Sequence, residues 1–290
     1  MLKKEGNPVI KQKRIMAIND ISCFGKCSLT VALPILSSAG FETAVIPTAV
    51  LSTHTGGFKN YTFLDLSDNM IKVAKHWKDT GIEFDCMYSG YLGSESQIDT
   101  TIEIADNFNI PFVFVDPVMG DNGKLYAGFS ESFPEKMNIL CKRADIITPN
   151  ITEAALLTKT EYTEHHTKDY AEEILSKLSE SCDKIIMTGL RLNPSEITTA
   201  VYQNDEIRYI TNKNIDGMYH GTGDVFASSL LCGILNGLTL YTSAKIAVEH
   251  VSECILKTKE LNGNVTYGVD FEQCTKGLLE KLGVIKWKNF

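Results

Sequence analysis

Short apolar runs alternate along the chain with longer stretches whose hydrophobic residues recur every three or four positions. The runs at 14–19 (RIMAIN), 42–50 (ETAVIPTAV), 83–90 (EFDCMYSG), 111–116 (PFVFVD), 144–149 (ADIITP) and 184–189 (KIIMTG) read as strands. Between them the helical repeat predicts helices over 28–40, 64–81, 96–108, 130–143, 151–158 and 168–181. Residues 197–212 break the alternation. There two β-rich runs flank the turn signal QND, which predicts an antiparallel hairpin at a sheet edge. Long helices over 223–236 and 240–261, and one near 270–282, complete the pattern. Strands alternating with helices predict an α/β fold, with a central, mostly parallel sheet flanked by helices on both faces. No repeat or linker divides residues 14–290, which read as a single domain. Residues 1–13, rich in Lys with Gly and Pro, read as a flexible tail.

Composition narrows the function. A net charge of -8 argues against general affinity for nucleic acid or anionic membranes, while leaving room for a local phosphate pocket. No run approaches the ~20 apolar residues of a membrane span, and the basic N-terminus lacks the apolar run of a secretory signal, so a cytoplasmic protein is expected. The eight cysteines show neither CxxC pairs nor zinc-finger spacing, and are expected as free thiols in a reducing compartment. Cys23 and Cys27 have only Lys26 beside them to lower a thiol pKa, a poor setting for a nucleophile. His165 and His166 are expected in solvent, His250 in packing, and His220 at a solvent-facing helix start.

In open α/β sheets ligands bind at the carboxyl ends of the strands. Here those ends carry NDISCFGKC, STHTGG, SGYLGS, DPVMGDNG, TPNITE and TGLR, so a polar cleft is expected along one rim. In GTGDVFASSLL, Gly221 and Gly223 let the backbone approach a ligand, and the following helix offers free N–H groups to an anion. Asp224 would repel that anion unless its task is to take a proton from an alcohol attacking a phosphoryl group. The alternative is an ordinary helix-capping acid. The stretch is neither a Walker loop nor a dinucleotide fingerprint. In TPNITEA, Asn150 and Glu153 could hold Mg²⁺ through its water shell, or form a capping box. Asp116 and Asp121 of DPVMGDNG could tune metal or phosphate charge, or simply make turns.

GTGD, DPVMGDNG, TPNITEA, SGYLGS and STHTGG, in this order over about residues 14–262, resemble the pyridoxal (vitamin B6) kinases of the ribokinase-like superfamily. The resemblance implies an ATP- and Mg²⁺-dependent kinase acting on the 5′-hydroxyl of pyridoxal, pyridoxamine or pyridoxine. It makes Asp224 the catalytic base and Gly221, Thr222 and Gly223 the anion hole. Asn150 and Glu153 become the magnesium and phosphate site, with Asp116 and Asp121 near the metal and triphosphate. His54, Thr55 and Tyr91 become substrate-pocket residues, Thr188 a phosphate contact, and the 211–219 segment with Met218 the adenine lining. It further implies a homodimer, with a monovalent cation such as K⁺ as a further candidate cofactor.

One position departs. Asp20 stands where the family places a ring-contacting Ser, and a carboxylate there favours a cationic group such as the aminomethyl of pyridoxamine. The alternative is that Asp20 only satisfies backbone amides. A first strand ending near an Asp also suits the related hydroxymethylpyrimidine kinases of thiamine synthesis, against which STHT and Tyr91 weigh. A non-catalytic B6-binding protein is a third reading, and the intact Asp224 speaks against it.

Overall fold

The computed structural model describes residues 12–261 and 263–285, so the expected tail lies outside the described residues apart from Gln12 and Lys13. In chain order the elements begin β1 (Arg14–Ser22), α1 (Leu29–Ser38), β2 (Glu42–Leu51), β3 (Phe63–Asp65), α2 (Ser67–Asp79), β4 (Cys86–Ser89) and α3 (Glu95–Phe108). There follow β5 (Val113–Val115), β6 (Gly120–Asp121), β7 (Lys124–Leu125), α4 (Phe133–Cys141), β8 (Ile146–Ile147), α5 (Ile151–Thr158) and α6 (Lys168–Leu178). The rest comprises β9 (Lys184–Leu190), β10 (Glu196–Gln203), β11 (Glu206–Lys213), α7 (Thr222–Leu235), α8 (Leu240–Glu260), a 3₁₀ turn at Val265–Tyr267 and α9 (Thr275–Lys281).

The nine-stranded sheet runs β11-β10-β9-β8-β5-β4-β1-β2-β3. Strands from β9 across to β2 are parallel, while β10, β11 and β3 are antiparallel additions at the two edges. The continuous apolar runs follow from burial on both faces. Met16 and Ile18 of β1 pack with residues of α3 to α6, whereas Ile15 and Ala17 pack with α1, α7 and α8 on the opposite face. Phe114, fully buried at the centre, illustrates the scale: truncating such a ring to Ala costs about 3–5 kcal/mol.

Two short features correct the expected pattern. The helix expected over 64–81 starts at Ser67, because Phe63–Asp65 pairs antiparallel with the end of β2. The Asp65 carboxylate then accepts the Ser67 N–H at 2.7 Å and turns the chain into α2. The expected turn in DPVMGDNG is a complete small hairpin, β6–β7, whose Asn122 and Gly123 carry the positive φ values of 52° and 74° that two-residue hairpin loops favour. No helix among the described residues is long and apolar enough to cross a membrane. All eight cysteines are free, and five of them are buried.

Because the central strands run the same way, the carboxyl ends of β1, β2, β4, β5, β8 and β9 share one rim. Loops from that rim meet the start of α7.

Candidate active site

The start of α7 is built for close approach. Gly221 is its N-cap at φ 76°, and a Cβ there would lie 2.0 Å from the Lys26 carbonyl oxygen, so only glycine fits without displacing the β1–α1 loop. No side chain caps the helix, and Gly223 is exposed with open space where a Cβ would be. With no capping side chain, the positive end of α7 is free to meet an anion. Thr222 turns its hydroxyl back to the Tyr219 carbonyl at 3.2 Å.

Asp224 does not cap its own helix, which settles against the capping alternative. The backbone N–H of Ser28 lies near enough to its carboxylate to favour the ionised form. Burial raises the Asp224 pKa to about 7, with the Asp20 charge adding to the rise and the Ser28 and Asn19 contacts opposing it. The residue keeps partial access to solvent with protein on most sides, as a side chain on a cleft floor does.

The end of β1 organises this corner. Asn19 is buried, and its Oδ1 accepts the N–H of Asp20 at 2.9 Å and of Tyr91 at 2.8 Å. Its Nδ2 lies near enough to Asp224 to favour the ionised form without making a hydrogen bond of full geometry. Asp20 is 5 % exposed, and burial raises its pKa against the hydrogen bonds of Ser28 and Ser22. Ser28, just before α1, has φ 58° and ψ -132°, a conformation that costs a non-glycine residue on the order of 1–3 kcal/mol.

A second corner forms where β5 and β8 end. Asp116, 7 % exposed, accepts the Thr148 hydroxyl at 3.2 Å. Glu153, 3 % exposed, accepts the N–H of Asn150 at 2.8 Å and of Met119 at 3.1 Å. Asn150 Oδ1 accepts the Glu153 N–H at 2.9 Å, and its Nδ2 donates to the Gly120 carbonyl at 2.9 Å. The capping box is thus real. Both carboxyls are pushed well above the usual carboxylate range, first by burial; the Asp224 charge adds to Asp116, and the Asp116 charge to Glu153. No Lys or Arg among the described residues pairs with Asp20, Asp116, Glu153 or Asp224.

Among the described residues no group of three or more His, Cys, Asp or Glu forms a metal cage. Mg²⁺ needs none, since it keeps much of its water and takes one or two carboxylates. Two buried, mutually repelling acids without a counter-ion are a donor set that fits such a cation.

The remaining candidates divide. Thr188 sits beside Asn150, bridged in parallel, with its N–H on the Pro149 carbonyl at 3.0 Å. Asp121 is exposed on the small hairpin, where its charge reaches Tyr126 and His220. Tyr91 stacks on Phe129 at 5.8 Å, and burial pushes its hydroxyl up to about 12, with Asp20 contributing. His54 is buried. Its Nε2–H donates to the Thr266 carbonyl at 2.7 Å while its Nδ1 accepts the Gly56 N–H at 3.2 Å, which fixes the neutral tautomer. Thr55 is exposed, and Met218 is 65 % exposed, away from the acids.

Several residues at this rim were not foreseen. Ser28 joins the two acids, and the Tyr126 hydroxyl feels Glu153, Asp121, Asp116 and Asp224 together, its pKa raised chiefly by burial. Phe24, Phe58 and Tyr267 make an aromatic roof with His54, the Phe58 and Tyr267 rings parallel at 6.1 Å. His220, expected in solvent, instead packs 5.2 Å from His54. His166 is likewise buried, accepting the Arg191 N–H at 2.9 Å.

A mostly parallel sheet, a glycine-started helix facing open space, and a poised acid beside it define a small-molecule kinase of ribokinase-like fold. The chain belongs to the phosphomethylpyrimidine kinase family, whose model matches residues 33–268. It is similar to a Bacteroides thetaiotaomicron protein assigned to the phosphomethylpyrimidine kinases and crystallised with pyridoxal: 35% identity, TM-score 0.87, covering 92% of this chain and 96% of that one. It is similar to the pyridoxal kinase of Lactobacillus plantarum at 29% identity and TM-score 0.87, over 92% of this chain and 97% of that one. Bos taurus pyridoxal kinase is 29% identical over 232 residues, 71% of this chain and 72% of its own.

Proposed function

We propose that the protein phosphorylates the 5′-hydroxyl of B6 vitamers with ATP and Mg²⁺. The observation that carries this reading is Asp224, half-buried, raised to about 7, and set beside the open first turn of α7. The ionised carboxylate takes the proton of the attacking hydroxyl. The amides of Gly221, Thr222 and Gly223 hold the phosphoryl oxygens as negative charge moves between them. Asn150, Thr188, Asp121 and Met218 serve the nucleotide, and Glu153 with Asp116 would hold Mg²⁺. Bound there, Mg²⁺ would neutralise phosphate charge.

Asp20, Tyr91, Thr55 and His54 serve the pyridine substrate. His54 is no general base, because both ring nitrogens are occupied; it ties the roof together. The likeness to pyridoxal kinases over nearly the whole chain supports the vitamer assignment. A homodimer is part of the same reading, to be checked by sedimentation.

The family description favours one second reading, phosphorylation of hydroxymethylpyrimidine or its phosphate. ADP release with Mg-ATP against pyridoxal, pyridoxamine, pyridoxine and hydroxymethylpyrimidine separates the two. Turnover of the pyridines supports the proposal, and turnover of the pyrimidine alone moves the protein to the second reading.

A further inference from the structure

Asp20 has its position set by three neighbours. The register of β1 against β2 slips between Asn19 and Ile21, and such a bulge re-aims the side chain within it. The Ser22 hydroxyl then donates to Asp20 Oδ2 at 3.3 Å, and the nearby Ser28 hydroxyl favours the same carboxylate's ionised form. Ser28 therefore lies near both acids, its N–H favouring the ionised form of Asp224 and its hydroxyl that of Asp20. The Asp20 charge is felt by Tyr91, Cys27 and Asp224, which places the carboxylate between the aromatic wall of the pocket and the proposed base.

Nothing in the described protein neutralises it. A buried carboxylate with hydroxyl donors and no counter-ion is costly by itself, and complementary to a cation arriving with a ligand. The corner is closed to water on the strand side, since Asn19, next to Asp20 in β1, is 1 % exposed and holds the N–H groups of Asp20 and Tyr91 through its Oδ1. The vitamers differ in what they bring. The aldehyde of pyridoxal and the extra hydroxymethyl of pyridoxine are neutral, while the aminomethyl of pyridoxamine is an ammonium at neutral pH.

We propose that Asp20, fixed by Ser22 and Ser28, is the specificity-determining residue of the site and selects the ammonium-bearing vitamer. The inference rests on the B6-kinase reading above. Its test is the ratio of kcat/KM for pyridoxamine to that for pyridoxal, each measured on the same enzyme preparation, so that the folded fraction cancels.

The wild type should favour pyridoxamine, and Asp20→Asn, which keeps shape but not charge, should lower the ratio about tenfold or more. Ser28→Gly suits the positive φ, keeps the N–H near Asp224 and removes only the hydroxyl; it should lower the ratio by about threefold. Phosphorylation of both vitamers with an unchanged ratio in Asp20→Asn overturns the inference and leaves the kinase reading standing. Where Asp20→Asn does not fold, an unchanged ratio in Ser28→Gly overturns it instead. If the wild type turns over neither vitamer, the B6 reading falls and this inference with it.

Discussion

The two acidic corners of the rim are held in different ways. Glu153 is tied by the N–H groups of Asn150 and Met119, and it returns the favour by completing the cap of α5. Its charge is solvated by backbone N–H groups, one from its own cap and one from the β5–β6 segment, which it stabilises. Asp224 has its nearest polar neighbours instead in Ser28 and Asn19, about 200 residues upstream, and the Ser28 backbone is strained. One corner supports the fold and serves the site. The other is built on a strained backbone, which fits the base proposed there.

The comparison can be broken most directly at Asp224. Asp224→Asn should lower kcat by about 10²–10⁴-fold with substrate affinity nearly unchanged, read from ADP release and calorimetric binding. Equal loss of binding and turnover would make the second corner structural as well.

At Glu153 the expected effect is mainly on stability. Glu153→Ala strands two buried N–H groups and should cost about 2–4 kcal/mol by denaturant unfolding. Glu153→Gln keeps an acceptor for only one of the two N–H groups, so it should cost about 1–2 kcal/mol, less than Ala, while raising the Mg²⁺ concentration for half-maximal rate.

A smaller effect concerns pH. Asp224 binds its proton more tightly folded than unfolded, with a folded value of about 7 against an ordinary 3.8. Its contribution to stability is therefore fully present below about pH 4 and is lost as the pH rises through about 7. Asp224→Asn removes that loss. The variant should gain on the wild type between pH 4 and 8, by about 1–3 kcal/mol after allowance for its partial solvent access, visible as a higher Tm at pH 8. Over the same range the wild-type kcat/KM should rise with pH as the base ionises.

The same contrast explains what could be read from sequence. Strands, helices and the edge hairpin were legible because the period of burial repeats over many residues. β3 has three residues and β6–β7 two each, too short for a period, though Asn122-Gly123 is a signal that a hairpin reading could have used. The Asn150–Glu153 box was visible at its spacing of three. Asp224 was visible as a residue and ambiguous as a role, because its neighbour Ser28 lies in a distant loop. His220 and His166 were misplaced in solvent for the same reason: their polar sequence neighbours say nothing of the loops that cover them. The aromatic roof, drawn from residues 24, 58 and 267, has no local signature at all.

That roof also sets an order of events during synthesis. The carbonyls of Thr266 and Tyr267 close on His54 and on the Lys26 N–H, so the roof is made only after every strand of the sheet. A nascent chain stalled at residue 261 has every strand of the sheet and an uncovered imidazole at His54. An acylating reagent aimed at histidine should modify His54 in such a chain and spare it in the finished protein.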